Sequence, residues 1–204
     1  MNFLITGRYK IKDRKPIFYL DKGWKKFFKK INSDYVLFNP KKKFISFQKY
    51  DCLIISGGGD IYNISNSRFD KYRDKIEIKL IKSYLRYKKP IIVVCRGFQL
   101  IANYYKNKLI KLNHHVRVHH QLKIKKNTYI KYKKINVNSY HKYGLLKLNK
   151  IFNVVAKSQD GSIEMAVIKN KKILCTMFHP ERHNKSQNKI NELILNFLKQ
   201  TVCN

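Results

Sequence analysis

The clearest structural signal in this chain is the stretch Ile91-Ile92-Val93-Val94-Cys95-Arg96-Gly97-Phe98-Gln99. Its four leading apolar residues show no alternation, which is expected of a β-strand that is buried on both faces. Pro90 separates this strand from the helical pattern before it, and Phe98 begins a new one. A cysteine between a buried strand and a helix is the setting of a nucleophile elbow, where a sharp turn exposes the side chain above the sheet. Gly97 supplies the small residue that relieves crowding at such a turn.

Comparable strand and helix patterns lie on both sides of this stretch. In the first half, apolar runs and regularly spaced apolar residues predict alternating strands and helices at Phe3–Thr6, 24–31, Tyr35–Phe38, Cys52–Ile55 and 71–88. In the second half, β-branched residues predict mainly strands before a last helix, at Val116–Lys125, Lys134–Asn138, Asn153–Lys157, Glu164–Lys169, Lys172–Thr176 and 186–200. Strands separated by helices form parallel sheets. We therefore predict an α/β fold over 1–204, a single domain with a mostly parallel central sheet flanked by helices and a smaller antiparallel sheet.

The charge of the chain suggests several partners without selecting one. It has 45 Lys and Arg residues against 12 Asp and Glu residues, a formal net charge of +33. This balance is typical of proteins that bind nucleic acid, an anionic membrane or a phosphorylated small molecule. The lysines are spread along the whole sequence, however, and A/T-rich codons, which also specify Asn, Ile, Tyr and Phe, offer a second explanation for many of them that involves no function. We therefore expect no specific nucleic-acid partner.

The cysteines and the apolar runs bear on the compartment. Cys52, Cys95, Cys175 and Cys203 are scattered and form no C-x-x-C pair, which argues against a zinc ribbon or a disulfide framework. No apolar run approaches the ~20 residues that cross a bilayer as a helix. The N-terminus also lacks the order of charged, apolar and small residues that marks a signal peptide. We expect a cytoplasmic protein without a membrane anchor.

A second motif, near the C-terminus, supplies groups that a reactive cysteine needs. Phe178-His179-Pro180-Glu181 directly follows a predicted strand. Residues two apart in an extended segment face the same way, so His179 can face Cys95 while Glu181 binds the far ring nitrogen and sets its tautomer. The three residues have the pattern of nucleophile, base and orienting carboxylate. The positive end of the helix after Cys95 also favours a thiolate.

Six motifs follow one another along the chain: Ser56-Gly57-Gly58-Gly59-Asp60, Arg73-Asp74 with Glu77, Cys95-Arg96-Gly97-Phe98-Gln99 with Asn103, Asn138-Ser139-Tyr140-His141, Asp160-Gly161-Ser162-Ile163-Glu164 and His179-Pro180-Glu181. Their residues and their order resemble those of the class I glutamine amidotransferases, and more narrowly their γ-glutamyl hydrolase branch, the C26 peptidase-like family. The resemblance covers most of the chain. It implies the flavodoxin-like fold of that class.

The resemblance also implies roles for the matched residues. Cys95 would attack the γ-carbonyl of a glutamyl amide to form a γ-glutamyl thioester, His179 would transfer protons, and Glu181 would orient His179. The backbone N–H groups of Gly58 and Arg96 would form the oxyanion hole. The residues expected to bind the substrate are Gly57, Gln99, Ser139, Tyr140 and His141. Of these, Ser139 and His141 are equally well explained as structural hydrogen-bonding residues.

Four histidines within seven residues raise the question of a metal site: His114, His115, His119 and His120. The apolar alternation around them predicts a strand. On a regular strand His114 and His120 share one face, and His115 and His119 lie on the other. No cysteine or acidic residue is near them in the sequence. We therefore expect no metal ion and no cofactor, and we expect these histidines to face substrate or solvent.

The leading functional hypothesis is a stand-alone hydrolase of γ-glutamyl amides. Two substrates fit, γ-glutamyl-γ-aminobutyrate and γ-glutamyl-CDP-amidate. The hydrolases of the latter, which act in capsular polysaccharide synthesis, have an early segment similar to Leu20-Asp21-Lys22-Gly23-Trp24. The phosphate-bearing substrate is slightly favoured, with Arg8, Arg96 and Arg117 as ligands of its diphosphate. Two alternatives stay open, a glutaminase subunit that passes ammonia to a synthase partner and a basic nucleic-acid-binding protein. A homodimer is also compatible with the sequence.

Overall fold

The strand predicted at Ile91–Val94 lies inside a nine-stranded sheet in the computed structural model, which describes residues 1–12, 15–40 and 47–202. Cys203 is outside these residues. The strands are β1 (Asn2–Ile5), β2 (Arg8–Lys12), β3 (Lys15–Tyr19), β4 (Asp34–Leu37), β5 (Cys52–Ile55), β6 (Ile91–Val94), β7 (Ile110–Lys111), β8 (Val116–Ile124), β9 (Lys134–Tyr140), β10 (Tyr143–Gly144), β11 (Asn153–Lys157), β12 (Ile163–Ile168) and β13 (Ile173–Thr176). The α-helices are α1 (Lys22–Lys30), α2 (Tyr62–Ser65), α3 (Arg68–Arg86), α4 (Arg96–Tyr104) and α5 (Gln187–Val202).

The large sheet is parallel in one half and antiparallel in the other. Its order is β4-β1-β5-β6-β13-β12-β11-β8-β9. Every neighbouring pair from β4 to β13 is parallel, and the pairs from β13 to β9 are antiparallel. The predicted α/β fold with a mostly parallel centre is therefore confirmed. Two small antiparallel sheets accompany it, β2–β3 and β7–β10. The β2–β3 hairpin was not predicted, because it is rich in lysine and several of its apolar side chains are exposed, so it lacks a clear apolar pattern.

Two hydrophobic cores cover the two faces of the sheet. Alternate residues of β6 enter opposite cores, with Ile92 in the core that contains α1 and α5, and Val93 in the core that contains α3 and α4. Both faces of the central strands are thus buried from solvent, which is why their sequence is continuously apolar. Among the described residues, none of the helices combines the length and the apolar character that crossing a membrane requires.

The chain turns sharply where β6 meets α4. Cys95 occupies this turn with φ of +50° and ψ of −102°, a conformation that is unusual for a residue with a side chain. Its N–H donates to the carbonyl oxygen of Thr176 at 2.7 Å, which ties the turn to β13. Gly97 follows, where a Cβ atom would lie 2.6 Å from the carbonyl oxygen of Ile55. Any side chain there would therefore push α4 away from β5.

A buried charge lies directly after this turn. The guanidinium of Arg96 is fully buried and forms ion pairs with Asp74 and Glu77 on α3. The hypothesis that Arg96 binds a diphosphate is therefore wrong, because the side chain points into the protein and is already paired. Its role in the fold is to fasten the start of α4 to α3.

Glu77 also holds the glycine-rich loop after β5, through Arg73. Arg73 is 2.9 Å from Glu77 and donates to the carbonyl oxygens of Ser56 (3.1 Å) and Gly58 (2.7 Å). Burial alone would raise the pKa of Glu77, but the two guanidinium groups lower it below its ordinary value. The Glu77 carboxylate is thus shared by the two buried arginines that set the loop and the elbow.

We expect Glu77→Gln to lower the free energy of unfolding by roughly 3–5 kcal/mol, since two buried guanidinium groups lose their shared carboxylate. Urea unfolding followed by circular dichroism measures the change. The control is Asp34→Asn, the same type of substitution at an exposed position. If both variants unfold at the same urea concentration, the buried ion pairs do not stabilise the fold.

Candidate active site

Cys95 and His179 meet above the ends of two adjacent parallel strands. β6 pairs with β13 up to Val94 opposite Thr176, so the residues that follow each strand emerge side by side. The imidazole of His179 lies close enough to the Cys95 thiol for the two groups to interact. Gly57 packs against both, since a Cβ atom there would be 2.6 Å from Cε1 of His179 and 3.2 Å from Cβ of Cys95. A side chain at position 57 would separate the two reactive groups.

Glu181 lies on the other side of the imidazole. Its Oε1 atom is 2.7 Å from Nδ1 of His179, and both side chains are buried. The spacing of two residues in an extended segment thus brings carboxylate and ring together, as the His-Pro-Glu motif indicates. The geometry leaves Nε2 as the ring nitrogen that faces the cysteine.

Asparagine side chains hold the backbone of His179. The N–H of His179 donates to Oδ1 of Asn138 at 2.9 Å, and Nδ2 of Asn138 donates to the His179 carbonyl oxygen at 2.8 Å. Asn184 donates to the same carbonyl at 3.0 Å. No role was predicted for either residue from the sequence. Asn138 belongs to the motif Asn138-Ser139-Tyr140-His141, which could have indicated its importance, whereas Asn184 belongs to none of the six motifs.

The charges around His179 favour its protonated form. Burial opposes the charged imidazolium, but the Glu181 carboxylate and Cys95 outweigh burial and raise the pKa of His179 to about 10. The ring therefore carries a positive charge at neutral pH.

A cleft of about 500 Å³ opens above these residues. Its lining includes Cys95 and His179, together with three of the residues predicted to bind substrate: Gln99, Tyr140 and His141. Gly58, a predicted oxyanion-hole residue, also lines it, with φ of +91°.

Ser139 is not at the surface of this cleft. It is fully buried, and its hydroxyl donates to the carbonyl oxygen of His115 at 2.7 Å. Of the two explanations that the sequence left open for Ser139, direct substrate contact or a structural hydrogen bond, the geometry favours the second.

Basic side chains surround the mouth of the cleft: Arg8, Arg117, Lys142 and Arg182. Asp21 lies 3.5 Å from Arg8 and 3.3 Å from Arg182, so one carboxylate orients two of these cations. Arg182 also lies over the ring of Tyr140, 4.5 Å from its centroid. Arg8 and Arg117 were predicted from the sequence to bind a diphosphate, but Arg182, which directly follows Glu181, was not.

The histidines around β8 do not alternate as predicted. Arg117 has φ of +59°, and the pairing of β8 with β9 shifts register between Val116 and Val118. This bulge places His115 and His120 on the same side, with ring centroids 4.3 Å apart. The predicted separation of these two residues onto opposite faces is therefore wrong. A bulge in a strand reverses which face of the sheet the following side chains point to. No glycine or proline near Arg117 indicates the bulge in the sequence.

Comparison with known proteins gives a family and a fold. The family model described as Peptidase C26 matches residues 39–181. A γ-glutamyl-CDP-amidate hydrolase of Campylobacter jejuni is 29% identical over 136 residues, which are 67% of this chain and 64% of that protein. A protein of Lactococcus lactis named as glutamine amidotransferase-like is 27% identical, over 64% of this chain and 66% of that protein. The chain thus spans slightly less than two thirds of the curated relatives that it matches.

Solved structures identify the fold. A glutamine amidotransferase from Thermotoga maritima superposes with a TM-score of 0.72 at 14% identity, over 98% of this chain and 97% of that one. The predicted resemblance to the class I glutamine amidotransferases is confirmed at the level of fold.

We expect Glu181→Gln to lose less unfolding free energy than wild type as the pH rises into the alkaline range. The pKa of His179 in the folded protein, about 10, lies above the value of 6.5 for a free imidazole. The stabilisation from the charged ring is therefore complete below that lower value and is lost as the pH rises toward the upper one. Without the carboxylate, the folded pKa falls and less stability remains to be lost.

Urea unfolding between about pH 6 and pH 10 measures this effect. Wild type should lose stability across the window, and Glu181→Gln should lose clearly less. His183→Gln, which changes an exposed histidine close by, should follow wild type. Identical pH profiles for wild type and Glu181→Gln would show that the carboxylate does not control the charge of His179.

Proposed function

Because the chain belongs to the Peptidase C26 family, we propose that it is a cysteine-dependent hydrolase of γ-glutamyl amides. The observation that carries the proposal is the geometry of Cys95, His179 and Glu181. The cysteine sits on a sharp turn at a helix N-terminus, the imidazole beside it has a raised pKa, and a carboxylate holds the far ring nitrogen at 2.7 Å. The relative from Campylobacter jejuni, which is named for a γ-glutamyl substrate, supports the type of bond.

The reaction proceeds in two steps. The thiolate of Cys95 attacks the γ-carbonyl carbon, and the C–N bond breaks as His179 gives its proton to the departing nitrogen, which leaves a γ-glutamyl thioester. His179 then takes a proton from water as that water attacks the thioester. The C–S bond breaks, glutamate leaves, and the thiolate and imidazolium are restored. Glu181 keeps the ring in one orientation throughout.

Two backbone N–H groups are proposed to stabilise the tetrahedral oxyanion. Arg96 is the first residue of α4, so its N–H has no partner within the helix. Gly58 adopts φ of +91°, and Arg73 donates to the carbonyl oxygens of Ser56 and Gly58, which belong to the peptides on either side of the one that carries the Gly58 N–H. Such preorganised donors are rigid and need no rearrangement when charge develops on the substrate.

The glutamyl group is proposed to bind beside Gln99 and Tyr140, with Gly57 closing the wall next to the thiol. Gln99 is oriented by donating from Nε2 to the carbonyl oxygen of Tyr143 at 2.8 Å. Ser139 and His141 are almost completely buried; His141 lines the cleft, and Ser139 supports its wall from behind.

The leaving group is proposed to carry phosphate. The cleft is bordered by four cationic side chains, and guanidinium groups bind phosphate oxygens well. Asp21, which orients two of the arginines, belongs to the segment Leu20-Asp21-Lys22-Gly23-Trp24. These cations favour γ-glutamyl-CDP-amidate over γ-glutamyl-γ-aminobutyrate, whose leaving amine bears a single carboxylate.

We expect wild type to release glutamate from γ-glutamyl-CDP-amidate, and Cys95→Ser to reduce kcat by at least about 10³-fold, because the nucleophile is lost. A coupled glutamate assay measures both. Cys52→Ala, which changes another buried free cysteine, should keep the wild-type rate. Full activity of Cys95→Ser, or no turnover of any γ-glutamyl compound, would refute the hydrolase. If glutamine is the one substrate that is hydrolysed rapidly, and a synthase raises that rate, the result would instead favour an ammonia-supplying subunit.

We expect Arg117→Gln and Arg182→Gln each to raise KM for γ-glutamyl-CDP-amidate roughly 10-fold, since each removes a charge-assisted hydrogen bond to phosphate. The rise should be smaller for γ-glutamyl-γ-aminobutyrate. Lys147→Gln, an exposed substitution that does not border the cleft, provides the comparison. Equal effects on the two substrates would show that these arginines do not recognise phosphate.

A further inference from the structure

A second group of buried titratable side chains lies beside the cleft, which one of them, His141, also lines. It consists of His115, just before β8, His141, between β9 and β10, and Glu164 on β12, and we call it the His–Glu cluster. All three side chains are at most 3% exposed. None of them takes part in the proton transfers proposed above.

Two of the three distances within the His–Glu cluster are close to those between ligands of one metal ion. Oε1 of Glu164 is 3.5 Å from Nδ1 of His115 and 3.2 Å from Nε2 of His141. The three potential ligand atoms all lie within 4.8 Å of one another. Two ligands bound to tetrahedral zinc at about 2.0 Å are roughly 3.3 Å apart.

The remote nitrogen of each ring has a hydrogen-bond acceptor. Nε2 of His115 is 2.8 Å from Oδ2 of Asp160, and Nδ1 of His141 is 3.2 Å from the carbonyl oxygen of Tyr143. When these nitrogens carry the protons, the lone pairs of both rings point at Glu164. A carboxylate or carbonyl that accepts from the far nitrogen of a histidine is the usual support of a metal ligand.

The two ring nitrogens that face Glu164 have no hydrogen-bond partner in the part of the chain that the structure describes, whereas the Oε1 atom between them accepts from Oγ of Ser162 at 3.4 Å. Among the described residues, Nδ1 of His115, Nε2 of His141 and Oε2 of Glu164 are buried without a hydrogen bond. Two lone pairs directed at a carboxylate repel it, and burying such groups unpaired is unfavourable. A cation between them removes both difficulties. Nε2 of His120 is also buried without a partner, and its ring lies 4.3 Å from that of His115.

We propose that the His–Glu cluster binds one Zn²⁺ ion. Imidazole nitrogens and a carboxylate oxygen are ligands that zinc prefers, and the carboxylates of Glu164 and Asp160 balance its charge. The ion would join the start of β8, the β9–β10 connection and β12. It would thereby hold the wall that carries Tyr140 into the cleft.

The test uses the full chain, freed of metal with a chelator and then titrated with Zn²⁺ and Co²⁺. We expect one Zn²⁺ per chain to remain after desalting, measured by plasma mass spectrometry, and Co²⁺ to give the visible absorption of a tetrahedral site. Cys95→Ser should bind as well as wild type, which distinguishes this site from the reactive cysteine. His114→Gln, at an exposed neighbouring histidine, should also bind normally.

Substitutions in the cluster should then weaken binding in graded steps. His115→Gln and Glu164→Gln should lose the stoichiometric ion, and Asp160→Asn should bind about 10–100-fold more weakly, because it removes only the acceptor that supports His115. Zn²⁺ should also raise the melting temperature of wild type, a readout that needs no variant to fold.

Three results would overturn the proposal. The first is metal-free wild type that neither retains Zn²⁺ nor gains thermal stability from it. The second is unchanged binding by folded His115→Gln and Glu164→Gln. The third is loss of binding in Cys95→Ser. None of these results depends on turnover, so failure of the zinc site and failure of the proposed hydrolase are distinguishable.

Discussion

The turn at Cys95 is the constraint around which the rest of the molecule is arranged. A strand buried on both faces passes there into a helix, through a residue with φ of +50°. Gly97 must lack a side chain so that α4 can lie against β5. The turn also buries the charge of Arg96, which requires Glu77 on α3. Because Glu77 also binds Arg73, the elbow and the glycine-rich loop are held by one buried carboxylate.

The catalytic chemistry proposed here depends on buried charges being balanced locally. His179 is held by its backbone through Asn138, and its ring charge is balanced by Glu181. The net charge of +33 has little part in this arrangement. What matters is a small set of cations at the mouth of the cleft, of which Arg182 is oriented by Asp21. The net charge of a chain therefore indicates less about its substrate than the few charged side chains that the fold brings together at the cleft.

Several features were predictable because they depend on local patterns. The strand before Cys95 and the helix after it follow from an uninterrupted apolar run and a change of period. The facing of His179 and Glu181 follows from their separation by one residue. The direction of the Arg96 side chain was not predictable, since the sequence does not say which neighbour lies behind a helix. The bulge at Arg117 was equally hidden, because it depends on how β8 pairs with β9.

Local sequence patterns were enough to predict the α/β order of elements, the elbow at Cys95 and the motifs around it, because periodicity and strand ends depend on consecutive residues. Which side chains meet, in contrast, depends on how the chain folds. Asp160 and Glu164 approach His115 across more than 40 positions of chain, and Ser139 is turned away from the cleft by its bond to His115. Such contacts depend on strand pairing and packing between distant segments, and no local pattern specifies those.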